Sequence, residues 1–222
     1  MDFAAMRRKM VDNQVRPNGV TDLRLVAAML ETQRERFVPA DKAALAYLDG
    51  DLMIAEGGAG RAARFLLAPM VLARLIQMAD FGDTDRVLDV ACGTGYSSAV
   101  LARLAGSVVA LEEDGDLADK AVRLLARSKI DNAEVVRGPL TDGWPAKAPY
   151  DAILINGAVE YVPEALLDQI KDGGRLVAVV GAAPVGKAML YRRVPGDVSG
   201  RPIFDATAPV LPNFVKAKTF VF

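Results

Sequence analysis

Short apolar runs alternate with amphipathic stretches along the second half of the chain. The runs beyond residue 85 are RVLDVA, SVVALE, AEVVRG, YDAILIN and GRLVAVVG, and helical periodicity is predicted over 97–104, 117–126 and 163–170. Runs this continuously apolar are typical of strands covered on both faces, so the alternation predicts a parallel sheet with helices on each side. KAMLYRRV and AKTFVF add two strands without an intervening helix, and we expect them to form a hairpin at the sheet edge.

The first eighty residues have helical rather than strand periodicity. Apolar residues recur at three- and four-residue spacing over 4–14 and 22–31, and Thr21 is a candidate cap for the second of these helices. Pro69 suits the first turn of a third helix that runs to about Met78.

Between these helices lies AEGGAGRAA (55–63), which is predicted to be an irregular loop. Together the patterns predict one α/β domain over 1–222. We expect a doubly wound, mostly parallel, seven-stranded sheet in 81–222 and an N-terminal helical cap in 1–80.

Composition excludes several kinds of chemistry. The chain has 222 residues, a formal net charge of −1, a single cysteine and no histidine. An internal disulfide, a histidine-based zinc site and Ser-His or Cys-His catalysis are therefore excluded, and no metal site is predicted. No basic excess points to a nucleic-acid or membrane partner. The N-terminus lacks the apolar region of a signal peptide, and the most apolar run is too short to span a bilayer, so we expect a cytoplasmic protein.

The segment VLDVACGTGYSS (87–98) has the strand–glycine turn–helix pattern of a nucleotide-binding loop. A dinucleotide fingerprint requires a third glycine, but Ser98 stands at that position after Gly93 and Gly95. Asp89 would repel a pyrophosphate by about 4 kcal/mol at ~4 Å in an effective dielectric near 20. The same acid suits the ammonium and sulfonium of S-adenosylmethionine, so this cofactor is favoured over a dinucleotide.

Other candidate cofactor residues follow the apolar runs. Glu112 or Glu113, at the end of VVALEE, can accept hydrogen bonds from ribose hydroxyls. Asn156 ends YDAILIN and is predicted to line the cofactor cleft, while Tyr96 either packs on the cofactor or fills the start of a helix. The remaining candidates are small or turn residues of the loops beside these positions: Ala91, Cys92, Gly138, Pro139 and Leu140.

The chain resembles the protein-L-isoaspartate O-methyltransferase family over nearly all of its length. MVDNQVR, GVTDLRLVAAM and RERFVPA are similar to that family's N-terminal signature, VLDVACGTGYSSAVLARL to its cofactor loop, and APYDAILINGAVEYVPEALLDQIKDGGRLVAVVG to its fourth-strand region. The resemblance implies the Rossmann-like fold of class I methyltransferases. It also implies methyl transfer from S-adenosylmethionine to the carboxylate of an L-isoaspartyl residue, as a protein repair step. A carboxylate is already ionised at pH 7, so this reaction needs no general base.

Two departures from the family pattern affect the expected activity. The family carries threonine and serine hydroxyls before a proline; here Phe65 and Leu67 replace them, between Arg64 and Ala68–Pro69. An acid that would accept from the adenine amino group is replaced by Pro139. We therefore expect weak or absent isoaspartyl activity, with cofactor binding retained.

Arg64 has two interpretations, an exposed loop charge, which we favour, or a bidentate partner for the acceptor carboxylate. The alternative functions are methylation of another carboxylate or a small molecule, or cofactor binding without catalysis.

Overall fold

A seven-stranded sheet with helices on both faces forms the second half of the molecule. The computed structural model describes residues 1–58, 61–181 and 186–215. The α-helices of this part are α1 (Phe3–Met10), α2 (Leu23–Glu31), α3 (Pro69–Ala79), α4 (Tyr96–Leu101), α5 (Gly115–Arg127) and α6 (Glu164–Asp168). The strands are β1 (Leu52–Ala55), β2 (Arg64–Leu66), β3 (Arg86–Val90), β4 (Ser107–Glu112), β5 (Ala133–Arg137), β6 (Tyr150–Val159), β7 (Ile170–Val180), β8 (Gly186–Val194) and β9 (Asp197–Ala206).

The strand order in the large sheet is β5-β4-β3-β6-β7-β8-β9. Strands β3 to β7 are mutually parallel, and β8 and β9 are antiparallel additions at one edge. The chain moves outward from β3 through β4 to β5 and then returns to the other side of β3 as β6. The predicted α/β fold with a doubly wound, mostly parallel, seven-stranded sheet is thus confirmed.

The seventh strand is not the one that the sequence pattern suggested. KAMLYRRV forms most of β8, which pairs with β7 on one side and with β9 on the other, so its hairpin partner is β9. AKTFVF lies outside the described residues. The hairpin closes at Gly196, which has φ 84° and therefore suits glycine. Gly200 and Pro202 interrupt the apolar pattern of β9, which its position at the sheet edge tolerates.

Side chains of the parallel strands alternate between two apolar cores. On β3, Val87 packs into the core beneath the N-terminal helices, and Leu88 packs into the core on the opposite face. On β6, Leu154 and Ile153 divide in the same way. Because both faces are buried, the strands are apolar at almost every position, which is why they were visible in the sequence.

The N-terminal helices form close to their predicted positions. α1 continues as a π-helical turn (Val11–Val15) and a short 3-10 turn (Arg16–Asn18). The cap of α2 is Asp22 and not Thr21, since the Asp22 carboxylate accepts from the backbone N–H of Arg24 at 2.8 Å. Further 3-10 turns lie at Arg34–Phe37, Ala40–Leu45, Leu140–Asp142 and Pro145–Lys147. None of the helices found in the described ranges has the length and apolar character to cross a membrane.

Two short strands that the sequence pattern did not predict flank the predicted loop 55–63. β1 and β2 pair antiparallel, with Leu52 opposite Leu66. The buried Arg34 side chain holds the strand ends, since its guanidinium donates to the carbonyl oxygens of Ala46 (2.7 Å) and Leu67 (2.8 Å). This hairpin, residues 52–66 with its connecting loop, is called the β1–β2 hairpin below.

Candidate functional site

The candidate site lies at the carboxyl ends of β3, β4 and β6, where the order of the strands reverses. Open α/β sheets bind ligands at such a point. The turn between β3 and α4 contains Gly93 and Gly95 with φ of 59° and 93°, a conformation that suits glycine. A Cβ on Gly93 would also lie 2.8 Å from the Ile54 side chain of the β1–β2 hairpin. The hairpin therefore packs directly against the glycine turn.

Asp89 is fully buried on β3, with one carboxylate oxygen paired and the other not. Oδ2 accepts from the hydroxyls of Ser97 and Ser98, both at 2.6 Å. Oδ1 has no hydrogen-bond partner among the residues that the structure describes. Burial raises the pKa of Asp89 to about 7; the serine hydroxyls oppose that rise, and the neighbouring Glu112 charge adds to it.

Asn156 on β6 presents a second buried oxygen for which the described residues offer no partner, and its side chain is linked to that of Asp89 through Ser97. Its Nδ2 donates to the Ser97 hydroxyl at 2.8 Å, whereas its Oδ1 has no partner within the described ranges. Asp89 Oδ1 and Asn156 Oδ1 each belong to a side chain bonded to Ser97. Two buried acceptors without donors are costly, and a ligand with N–H groups or positive charge would satisfy both.

Glu112, at the end of β4, is buried and fully hydrogen-bonded. Its Oε1 accepts from the backbone N–H groups of Glu113 (3.0 Å) and Asp114 (3.1 Å), and its Oε2 accepts from that of Gly93 (2.8 Å). The Arg64 guanidinium adds a bidentate pair, Nη1 to Oε1 at 2.6 Å and Nη2 to Oε2 at 2.8 Å. The Glu112 carboxylate thus accepts from five donors although it has only about four lone-pair positions.

The favoured interpretation of Arg64 as an exposed loop charge is wrong. The residue is 5% exposed, and the pairing of the β1–β2 hairpin points its side chain inward onto Glu112. The sequence does not reveal this pair because its two members are 48 residues apart and belong to different sheets.

Two cavities meet at Arg64. One, of about 670 Å³, is bounded by Arg64, Glu113 and Asp114, together with Arg137 at the end of β5. The other, of only about 10 Å³, lies between Arg64 and Leu211. Its remaining walls include Phe65, Leu67, Asn156 and Gly157. Arg64 is the residue that borders both cavities.

Residues 209–214 cover the end of β6 and narrow the smaller cavity. The backbone N–H of Leu211 donates to the carbonyl of Ala158 at 2.8 Å. Gly157 leaves room for this segment, because a Cβ there would lie 2.5 Å from Leu211 Cγ. Sequence analysis missed Leu211. It also missed Ser97 as a partner of Asp89, although a serine in the first turn after a strand-ending acid is a usable signal.

The remaining candidates lie around the same edge of the sheet. Tyr96 fills the start of α4, where its ring contacts Phe37 and the Arg34 guanidinium, 4.7 Å from the ring centre. Cys92 is buried in the turn beside Ala91, and burial raises the pKa of its thiol. Gly138, Pro139 and Leu140 follow β5 at the same sheet edge, while Ala68 and Pro69 lie at the start of α3.

The sheet order and the glycine turn after β3 define the Rossmann-like fold of class I methyltransferases. Residues 5–203 match the family model described as Protein-L-isoaspartate(D-aspartate) O-methyltransferase. A Protein-L-isoaspartate O-methyltransferase of Methanoculleus marisnigri is 41% identical over 175 residues, which cover 79% of this chain and 77% of the relative. Protein-L-isoaspartate O-methyltransferase 1 of Rhodopseudomonas palustris is 41% identical over 180 residues, 81% of this chain and 71% of that one.

Solved structures agree with this assignment. One protein-L-isoaspartate O-methyltransferase structure superposes with a TM-score of 0.80 at 26% identity, covering 93% of this chain and 66% of that chain. A Plasmodium falciparum structure named for the same activity, in complex with S-adenosyl-L-homocysteine, has the same fold, with a TM-score of 0.74, 20% identity and coverage of 92% and 97%. The chain belongs to the protein-L-isoaspartate O-methyltransferase family, a family of S-adenosylmethionine-dependent O-methyltransferases.

Proposed function

We propose that the protein binds S-adenosylmethionine at the β3–β6 edge and methylates a carboxylate acceptor, with weak activity on isoaspartyl peptides. The observation that carries the proposal is the pair of buried acceptors, Asp89 Oδ1 and Asn156 Oδ1, for which the described part of the chain offers no donor. The α-ammonium of the cofactor offers the donors and the positive charge that these oxygens lack.

The residues around these two oxygens would hold the rest of the cofactor. Gly93 and Gly95 allow close approach of the ligand to the backbone, and Glu112 is the acid placed to accept from ribose hydroxyls. Glu113 lies next to it, and Gly138, Pro139 and Leu140 form the loop beyond β5, where backbone groups can accept from adenine. The methionine end thus fits the residues present, whereas the ribose end fits only if a donor leaves Glu112.

The chemistry requires orientation rather than acid–base catalysis. When bound, S-adenosylmethionine supplies a sulfonium methyl group that an acceptor oxygen takes, while the C–S electron pair stays on sulfur and leaves a neutral thioether. No proton moves if the acceptor is an ionised carboxylate, which agrees with a chain that has no histidine. The task of the cleft is to align the acceptor and exclude water, an effect that can reach effective molarities of ~10⁵ M or more.

Apart from Arg64 and Asn156, the walls of the acceptor side are apolar. Phe65 and Leu67 border the small cavity and bring no hydroxyl to it, so an isoaspartyl carboxylate would lose the partners that the family pattern supplies. A carboxylate on a more apolar peptide or small molecule suits these walls better. We therefore expect weak methyl ester formation on an isoaspartyl peptide.

Methyl transfer can be tested with S-adenosylmethionine carrying a labelled methyl group, an isoaspartyl peptide and a panel of other carboxylates. We expect base-labile label on at least one carboxylate and little on the isoaspartyl peptide. Robust isoaspartyl esterification would contradict the acceptor assignment, and absence of label on every carboxylate would contradict the proposed reaction.

Binding is tested by calorimetry with Asp89→Asn, which removes the charge and keeps the shape. We expect at least tenfold weaker S-adenosylmethionine binding at pH 8, where the native carboxylate is ionised. The matched control is Asp83→Asn, an exposed acid before β3, whose affinity should stay within about twofold of the native value. Equal affinities for both variants would remove the role assigned to Asp89.

A further inference from the structure

The most unusual contact in the site is the buried pair between Arg64 and Glu112. Their side chains are 6% and 0% exposed, and both guanidinium–carboxylate hydrogen bonds are short. Arg64 is the first residue of β2, so its position is set by the β1–β2 hairpin and not by the sheet that carries Glu112. The pair therefore joins two separately built parts of the molecule.

The hydrogen-bond count at Glu112 has a direct consequence for ligands. Three of its five donors are backbone N–H groups of Gly93, Glu113 and Asp114, which the turn and the start of α5 fix in place. A hydroxyl that donates to Glu112 must displace a donor, because the carboxylate has about four lone-pair positions. Arg64 supplies the side-chain donors and is the one that can leave.

The large cavity gives the released side chain a place to move. Arg64 borders this cavity of about 670 Å³ together with Glu113, Asp114, Asp116 and Asp119. Burial raises the pKa of the Glu113 carboxyl, and the neighbouring Arg64 charge partly opposes that rise, so the two groups already interact. A guanidinium that leaves Glu112 thus meets other carboxylates, so the exchange requires no unpaired buried cation.

We propose that Arg64 is an internal competitor for the ribose site, and that it determines cofactor affinity by occupying Glu112 until ribose hydroxyls displace it. This inference rests on the proposed function in taking Glu112 as the ribose acceptor. The measured affinity of the native protein is then the intrinsic affinity reduced by the fraction of molecules in which Arg64 has left Glu112.

The experiment is calorimetric titration of S-adenosylhomocysteine and of adenosine into the native chain, Arg64→Met and Arg64→Lys. Both ligands carry the ribose, so Arg64→Met should bind each of them at least tenfold more tightly than the native protein. Arg64→Lys keeps the positive charge but cannot form the bidentate hydrogen bonds of a guanidinium, so we expect an intermediate gain in affinity. That variant also keeps the test available if Arg64→Met folds poorly.

Arg175→Met is the matched control for loss of a partly buried ion pair. Arg175 pairs with Asp85 at 2.5 Å near the amino end of β3, away from the carboxyl ends that form the cleft. Its replacement should lower the melting temperature and leave both affinities within about twofold. If Arg175→Met gained ligand affinity to a similar extent, the gain in Arg64→Met would come from general loosening of the structure and not from release of Glu112.

The outcomes separate this inference from the proposed function. Equal or weaker binding by Arg64→Met, with native S-adenosylmethionine binding intact, overturns the role of Arg64 alone. If Arg64→Met tightens adenosine but S-adenosylmethionine binds no better than adenosine, Arg64 is a competitor and the methionine-end assignment fails. No binding of either ligand to any variant overturns both.

Discussion

At the residue scale, Asp89 destabilises the ligand-free protein but supplies an acceptor for a bound ligand. Its carboxylate is buried, one of its oxygens is unpaired among the residues that the structure describes, and burial raises its pKa to about 7. A protein designed only for stability would place an apolar or neutral residue here. The acid is understandable if a cationic ligand completes its surroundings.

The pKa of Asp89 predicts how the stability of the ligand-free protein changes with pH. A carboxyl whose folded pKa is about 7 and whose unfolded pKa is ~3.9 binds its proton more tightly when folded, so its contribution is fully present below pH ~3.9 and is lost as pH rises through 7. The full loss is on the order of 4 kcal/mol. Asp89→Asn removes this titration, so the variant should gain stability relative to the native chain between pH 5 and pH 8.

Urea unfolding of both proteins at pH 5, 6, 7 and 8 measures this difference directly. Titration of other groups cancels in the comparison, and Asp83→Asn, which changes an exposed acid, should follow the native curve. Parallel curves for the native chain and Asp89→Asn would show that Asp89 is ionised throughout this range and that its unpaired oxygen is already satisfied.

Sequence reasoning located the residues of the site better than their contacts. Asp89, Gly93, Glu112 and Asn156 follow apolar runs, and parallel strands bring such positions to one edge, so their proximity could be predicted. The partner of Glu112 could not, because the register of a short hairpin decides whether Arg64 faces solvent or the sheet. An arginine in a glycine-rich segment looks the same in the sequence whether its side chain faces solvent or the sheet.

At the element scale, the β1–β2 hairpin depends on one buried cation. Arg34 is 0% exposed and donates to the carbonyl oxygens of Ala46 and Leu67, on either side of the hairpin. Burial lowers the pKa of its guanidinium. Asp51 adds a bond at the same open end of the hairpin, where its carboxylate accepts from the backbone N–H of Ala68 at 2.8 Å.

Arg34→Met should therefore loosen this hairpin. The substitution leaves two buried carbonyl groups without their donor, at a cost of about 2 kcal/mol in the free energy of unfolding. Hydrogen exchange should accelerate at the backbone amides of β2 and Ala68 more than in the central strands. The control is Arg36→Met, which removes an exposed arginine from the same 3-10 turn. Uniform exchange in the Arg34 variant would contradict the assigned role.

The elements that the sequence did not predict share a physical cause. β1 and β2 have four and three residues, too few to establish an alternating pattern, and their pairing is fixed by Arg34 from another segment. β9 lies at the sheet edge and contains Gly200 and Pro202, so its hydrophobic pattern does not predict that its backbone pairs with β8. The central strands are predictable because burial on both faces constrains nearly every side chain.

At the scale of the whole molecule, the cleft is closed by segments that are distant in the chain. The β1–β2 hairpin reaches Glu112 through Arg64, and Leu211 packs against Gly157 on the other side. The small cavity between them has a volume of about 10 Å³, room for about one water molecule, so an acceptor beside Phe65 and Leu67 requires its walls to move. The cofactor in turn requires Arg64 to leave Glu112, and this step should be visible in kinetics.

Trp144 provides the signal for that step. It is the only tryptophan in the chain, and its ring lies 3.2 Å from where a Cβ on Gly138 would stand, beside the loop assigned to adenine. In stopped-flow fluorescence, the observed rate of S-adenosylhomocysteine binding should reach a plateau as ligand concentration rises, because release of Glu112 limits association. The low-concentration slope should fall below the 10⁵–10⁷ M⁻¹s⁻¹ typical of unhindered association with proteins.

Arg64→Met should raise both the slope and the plateau, since its cleft has no guanidinium to displace, and Trp144→Phe should abolish the signal. A linear dependence at diffusion-controlled rates in the native chain would mean that the cleft is open most of the time. The proposed closure of the cleft by Arg64 would then be wrong. The assigned fold would still stand, because the central strands form the sheet independently of the β1–β2 hairpin that covers it.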